Sequence, residues 1–203
     1  MATVRIALTM SLDGFIAGPE DGSQHGLGLR GGHHLFDWYF SGMEPLERYP
    51  RFKPEGANRA YVERLFGETG AVLTGRRTWD IAKGWGGTHP INAVPIVVVT
   101  HRAPANPPQG RSITVFVTDG VRSAVAKAKE FAGEKTVGIA GASLAHQCLQ
   151  EGLIDELFVT VAPMLLGAGV RLFDDFGDDS IRLGKLEVVD GPGATHLRYR
   201  VLR

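Results

Sequence analysis

Ala71-Val72-Leu73-Thr74-Gly75-Arg76-Arg77-Thr78-Trp79 is a short apolar strand that runs through one glycine into two arginines and a helix start. The strand reads as Ala71 to Leu73 and the helix as Thr78 to Lys83. Gly75 lets a ligand approach the backbone closely. The first turn of a helix offers unpaired N–H groups and a partial positive charge, and arginine forks match phosphate oxygens. The stretch therefore reads as an anion site at a strand end. It reads equally as a strand-to-helix turn with two solvated arginines.

Outward from it, the chain repeats the pattern. Met1 to Met10 is a strand, with Val4, Ile6 and Leu8 alternating with Arg5 and Thr9. Phe15 to Ala17 is a short return strand, and 20–32 is a Gly-rich loop. Phe36, Trp38, Tyr39 and Phe40 crowd into 35–40, and 44–56 is charged and punctuated by proline. Asn58 to Phe66 has an apolar helical face, with Asn58 as the expected N-cap and Gly67 as the stop. Ile96 to Thr100 is apolar enough to be buried on both sheet faces. Ile113 to Val117 is the next strand, and Asp119 is the expected cap of the helix after it. Thr136 to Ala140 is a strand leading to a helix near Ser143 that Gly152 ends. Leu157 to Val161 is a strand. Leu183 to Val189 and His196 to Leu202 flank Gly191-Pro192-Gly193 as a hairpin. Strands alternating with helices imply parallel crossovers, and a closing run of strands implies an antiparallel edge. The expectation is one domain over 1–203, a three-layer αβα fold with a central mixed sheet and a C-terminal antiparallel hairpin.

Two more strand ends carry ligand chemistry. Thr100-His101-Arg102 offers a hydroxyl, an imidazole and a guanidinium where open sheets bind ligands. Gly138-Ile139-Ala140-Gly141-Ala142-Ser143 is small enough for a pyrophosphate to reach a helix start, or for a helix to pack closely on the sheet. Gly26-Leu27-Gly28-Leu29-Arg30-Gly31 matches G-x-G-x-x-G literally, but a polar loop precedes it where a dinucleotide fingerprint needs a strand.

The 203 residues carry 22 acidic and 22 basic side chains, which argues against nucleic acid held by bulk positive charge. No run approaches the ~18 apolar residues of a membrane helix. The single cysteine, Cys148, cannot form an internal disulfide, so a cytoplasmic location is expected. It falls on an apolar helical face, as a core position. The seven histidines have no metal-ligand spacing, and no metal is expected.

Taken in order, these segments resemble the dihydrofolate-reductase-like superfamily, in its riboflavin-biosynthesis reductase branch. Ser11-Leu12-Asp13-Gly14-Phe15-Ile16-Ala17 resembles the loop after the first strand, and Thr74 to Trp79 resembles the G-R-x-T-W segment. Asp155-Glu156-Leu157, Pro163, Leu166-Gly167, Gly169 and Leu172-Phe173 resemble the D-E-L…P…L-G-x-G…L-F signature. The resemblance implies NADPH lying across the strand ends of a dihydrofolate-reductase-like fold. Gly75, Arg76, Arg77 and Thr78 would hold phosphates, with Thr100, His101 and Arg102 near the adenosine ribose phosphate. Ala140, Gly141, Ala142, Ser143 and Leu144 would form the pyrophosphate turn, where the family often has two glycines. Ala7, Ile16 and Ala17 would border the nicotinamide. The implied activity is hydride transfer to a small heterocyclic or conjugated substrate, like that of a 5-amino-6-(5-phosphoribosylamino)uracil reductase. A dihydrofolate or pterin reductase, and a non-catalytic NADP(H)-binding protein of this fold, are the alternatives.

Asp13 and Glu63 are the catalytic candidates. Asp13 also reads as a turn residue that holds its loop by backbone hydrogen bonds. Glu63 is the nearest acid to the family's carboxylate on the first long helix, and no carboxylate matches that place. The aromatics at 36–40 are expected either to roof a flat substrate or to serve as core or dimer contacts. The resemblance and the apolar stretch Val159 to Leu166 imply a homodimer.

Overall fold

β-Branched and apolar runs buried on both faces set the centre of the sheet. The computed structural model describes residues 2–174 and 180–202. Its ten strands are β1 (Val4–Ser11), β2 (Phe15–Ala17), β3 (Thr69–Gly75), β4 (Ile96–Val99), β5 (Thr114–Val117), β6 (Thr136–Ala140), β7 (Glu156–Ala162), β8 (Val170–Arg171), β9 (Leu183–Gly191) and β10 (Ala194–Val201). The helices are α1 (Ala57–Glu68), α2 (Arg76–Ile81), α3 (Val121–Ala132) and α4 (Ala142–Gln150). Among the described residues, Gly32–Tyr39 and Lys83–Gly87 are 3₁₀ segments.

The main sheet has the order β5-β4-β3-β6-β1-β7-β10-β9. Neighbours from β5 to β7 are parallel, whereas β10 and β9 run antiparallel. This is the mixed sheet with a terminal hairpin that the sequence implies. The sequence gives no sign of the separate two-stranded sheet that β2 forms with β8. Two residues of β8 are too few to show a period.

Strand alternation divides the core between two helical layers. Val4, Ile6, Leu73, Val97 and Ile139 pack against α3 and α4, which contribute Ala124, Val125, Ala128, Leu144, Ala145 and Cys148. The opposite face packs Phe158 and Ala194 against Tyr61, Val62, Leu65 and Phe66 of α1. Trp38, Leu46, Tyr49 and Phe52 join this second cluster, so the aromatic insertion is largely core. Arg5, out of phase with Val4 and Ile6, is buried on that face. Its guanidinium donates to Glu68 at 2.7 Å, to the Leu65 carbonyl at 2.7 Å and to Thr69 at 3.1 Å, and lies 4.5 Å from the Phe158 ring centroid.

Several expected helix boundaries are corrected, and α2 spans Arg76–Ile81, two residues ahead of the expected Thr78 to Lys83. Gly56, at φ 53°, takes the N-cap of α1. Asn58 instead turns inward and is fully buried. The helix runs through Gly67 to Glu68, and Thr69 caps it. Gly120, at φ 106°, takes the α3 cap in place of Asp119. In both caps the backbone needs a conformation that L side chains rarely adopt, so glycine prevails over a capping side chain. The segment Gly26 to Gly31 has no strand before it. Its glycines let two loop strands cross: Gly18 N–H donates to the Leu27 carbonyl at 2.9 Å, and a Cβ on Gly28 would strike the Gly18 carbonyl.

Candidate active site

Parallel strands β3, β4, β5 and β6 end on one edge, and the connections leaving them frame a cleft of about 530 Å³. All three strand-end stations meet there. Gly75, Arg76, Arg77 and Thr78 come from the β3–α2 junction, Thr100 and His101 from the end of β4, and Gly141, Ala142, Ser143 and Leu144 from the start of α4. Ile16 and Ala17 of β2, with Val170 of β8, close one end. The small second sheet thus brings the loop after β1 to the cleft.

Three expected residues do not line it. Ala7 is half-buried and packs against the α1-side cluster. Ala140 lies one residue too early, and its carbonyl accepts the Thr74 hydroxyl at 3.1 Å. The Arg102 side chain is exposed. Its contribution is a carbonyl that accepts from Arg76 Nη1 at 2.8 Å and from the Thr100 hydroxyl at 2.9 Å.

One station was missed. Thr118, Gly120 and Val121, between β5 and α3, also line the cleft. A glycine just before an apolar helical face after a strand was the available signal, and reading Asp119 as the cap hid it.

The cleft's chemistry suits a dinucleotide. Both α3 and α4 start at a glycine with no side-chain cap, so their first-turn N–H groups remain for a ligand. A Cβ at Gly75 or Gly120 would meet no atom within 4 Å, so the backbone there faces open space. At Gly141, φ is 102° and a Cβ would come within 2.5 Å of Thr78 Oγ1, which locks the α4 start against α2. Both arginines are engaged within the protein. Arg76 Nε donates to Asp80 at 2.9 Å, and Arg77 Nη2 donates to Asp21 Oδ1 at 2.8 Å and to its carbonyl at 2.6 Å. Asp21 itself lines the cleft, so a phosphate would compete with it for Arg77.

Asp13 acts as a tie. Its carboxylate accepts the Ser11 hydroxyl at 2.5 Å, the Leu166 N–H at 3.1 Å and the Gly167 N–H at 2.7 Å. The Ser11 hydroxyl foremost, then the two amides, hold its carboxyl below the usual range. The loop after β1 is thereby fastened to the turn after β7. Asp13→Ala is expected to lower the melting temperature and loosen that turn, read as faster exchange of the Leu166 and Gly167 amides. Asn is expected not to rescue it, because its NH₂ would face amide donors.

Glu63 is exposed on α1 and lines neither the cleft nor the second cavity described next. Besides Arg5, which pairs with Glu68, a neutral network lies beneath that helix. Asn58 Nδ2 donates to the Pro192 carbonyl at 2.9 Å, which leaves Oδ1 to accept His196 Nε2–H at 2.9 Å. His196 Nδ1 then accepts the Thr160 hydroxyl at 2.8 Å. Tyr61 stacks on the imidazole at 3.7 Å. Burial, helped by Arg64, pushes His196 down to about 4. Inward alternation of Ala194 and His196 in β10 was the sequence signal for this network. Cys148 is buried, and burial pushes its thiol up to about 12, consistent with a core position.

A second cavity, of about 670 Å³, opens at the carboxyl end of β7 beside the first 3₁₀ segment. Trp38 and Phe40 line it, while Tyr39 stacks into the core on Trp38 at 3.7 Å. The aromatic run therefore divides between the core and the wall of this cavity. Phe15, Leu35, Ala162 and Leu166 pack together, and Ala162 also lines this second cavity. The Val159 to Leu166 stretch is used inside the chain: Val159, Ala162 and Leu166 are buried, and Leu165 is the large exposed apolar residue there.

A family model described as the RibD C-terminal domain matches residues 2–195. The uncharacterized protein YwjB of Bacillus subtilis (strain 168) is 28% identical over 173 residues, covering 85% of this chain and 83% of its own. A crystal structure from Shewanella sp. PV-4, of a protein assigned to riboflavin biosynthesis, superposes with a TM-score of 0.68 at 25% identity over 100% of both chains. Dihydrofolate reductase of Enterococcus faecalis, solved with NADP(H), superposes with a TM-score of 0.59 over 98% of this chain and 96% of its own. At 12% identity that last likeness is one of fold. Among the described residues, no helix is long and apolar enough to cross a membrane.

Proposed function

The chain belongs to the RibD C-terminal domain family, and from that premise we propose that it is an NADPH-dependent reductase of a small heterocyclic or conjugated substrate. The family and its structural neighbours support a reductase-like function in general. The observation that carries the finer reading is the convergence of the β3, β4, β5 and β6 strand ends on one cleft, with two uncapped helix starts and two arginines.

Bound there, the dihydronicotinamide would supply a hydride, the hard part of the chemistry. The protein's own residues would bind and orient. First-turn amides of α3 and α4 would hold phosphate oxygens, and Arg76 and Arg77 would neutralise them. Ile16, Ala17 and Val170 would shield the far end from water. Asp13 acts as a positioning residue by fixing the loop that carries Ile16 and Ala17. Among the described residues buried under α1, the basic groups are Arg5, paired with Glu68, and the neutral His196, and none is a carboxylate, which favours this reading over a pterin reductase.

Calorimetric titration with NADPH and NADH tests it. NADPH is expected to bind more tightly. Arg77→Ala should weaken it about tenfold or more, the low end for a charged hydrogen bond because Arg77 is exposed and Asp21 competes. Asp21→Asn should tighten it. Binding of neither nucleotide at millimolar concentration would overturn the proposal.

A further inference from the structure

The loop 18–32 closes on itself. Gly18 N–H donates to the Leu27 carbonyl at 2.9 Å, Leu29 N–H to the Pro19 carbonyl at 2.8 Å, and Gly28 N–H to the His25 carbonyl at 2.8 Å. Its feet, Gly18 and Gly32, are buried, and its tip, 23–26, is exposed. Glu20 at φ 59° and Arg30 at φ 57° stand just inside the two feet, in a conformation that few residues besides glycine adopt. The loop is therefore tied within itself and strained where it leaves the protein, as a hinged element would be.

Its hold on what it covers is slight. Among the described residues, none from 19–31 joins a buried apolar cluster. Beyond its feet, its hydrogen bonds to the rest of the described protein are the two that Arg77 Nη2 donates to Asp21, one to the carbonyl and one to the carboxylate. The Arg77 side chain is 69% exposed, and an exposed pair of this kind shifts an equilibrium by about fivefold at most. Asp21 and Arg77 both line the cleft. A phosphate drawn to the guanidinium thus arrives beside a carboxylate, and like charges repel. Whether it takes Nη2 or the neighbouring Nη1, the tie to the loop weakens.

We propose that 19–31 is a strap latched over the cleft by Asp21 and Arg77, and that a phosphate group reaching Arg77 unlatches it. The inference rests on the reductase reading only in taking Arg77 as a phosphate ligand. Its sign is the reverse of a loop that closes on its ligand: occupancy loosens this one.

A nitroxide on a Ser23→Cys variant, at the exposed tip, reports the strap's mobility. Cys148 is buried, with its thiol pushed up to about 12, so the label goes to position 23. Pyrophosphate is the probe, and sodium chloride at equal ionic strength is the control for screening. As pyrophosphate binds, the ratio of mobile to immobile label is expected to rise, by up to about fivefold. Arg77→Ala removes both ties and should mobilise the label without ligand, while weakening pyrophosphate. Asp21→Ala should bind pyrophosphate more tightly and lose most of the ligand-dependent change. A label that tightens on binding, stays unmoved by pyrophosphate that calorimetry shows to be bound, or is unchanged in Arg77→Ala would overturn the inference. NADPH binding with the label unmoved sinks only the strap. Release by pyrophosphate without NADPH binding keeps the strap and sinks the cofactor. Binding by neither sinks both.

Discussion

Gly141→Val is expected to cost more cofactor affinity than any single change of a charged side chain, about 100-fold or more if two or more charged hydrogen bonds are lost. The residue sits at φ 102° as the N-cap of α4, and its added Cβ would come 2.5 Å from Thr78 Oγ1. A side chain there would strain the backbone and push the α2 and α4 starts apart, so two stations of the cleft would move together. The strain alone costs about 1–3 kcal/mol, or roughly 2–4 °C in melting temperature for each kcal/mol. Gly133→Ala separates the two effects: φ is 63°, a Cβ there would meet no atom within 4 Å, and the residue does not line the cleft. It should lower the melting temperature and weaken NADPH far less. Equal loss of binding in both variants would mean that backbone strain, and not the α2–α4 contact, sets the site.

Acid should unfold the protein from within. Burial pushes His89 down to about 4, and burial with Arg64 pushes His196 to about 4, against 6.5 for an ordinary histidine. The folded state thus holds both rings neutral where the unfolded chain would protonate them. Their contribution is complete above about pH 6.5 and is lost as pH falls through the window to about 4. Each ring costs up to about 1.4 kcal/mol per pH unit inside that window, several kcal/mol in all against a typical total of about 5–15. Asp13 and Glu187, both held below the usual carboxylate range, lose stability in the same direction at still lower pH. Urea midpoints should therefore fall from pH 7 to pH 5, and His89→Asn should remove about half of that slope. A midpoint flat down to pH 5 would show that neither ring is held neutral.

The parts of the fold that sequence shows best are those fixed by local pattern. Ile96 to Val99 is a continuous apolar run because parallel neighbours cover both its edges and helices both its faces. Gly191-Pro192-Gly193 marks a hairpin because few other residues turn so tightly. Asn58 misleads for the opposite reason. Asn58 has good capping chemistry, but His196 and the Pro192 carbonyl, more than 130 residues away, claim its amide. Arg5 alternates as a solvent-facing residue should, yet α1 covers it and Glu68 compensates its charge.

The candidate site divides in the same way. Gly75 to Thr78 and Gly141 to Leu144 were legible because small residues beside helix starts have few other uses. Thr118 to Val121 was concealed by a plausible cap. Ala7, Ala140 and Arg102 lie a residue or a side-chain orientation away from the cleft, a difference that spacing does not resolve. The pairing of Arg77 with Asp21, 56 positions apart, is visible only once the loop is folded over the cleft.

Hydrogen–deuterium exchange with and without NADPH tests the placement of the cofactor most directly. The uncapped amides of α3 and α4 exchange readily when they face solvent and slowly when they donate to phosphate. Protection is expected in three segments together, 75–78, 118–124 and 141–145, with little change at the amino ends of the same strands. Protection confined to the cavity beside Trp38, or none at saturating NADPH, would contradict a cofactor lying across these strand ends.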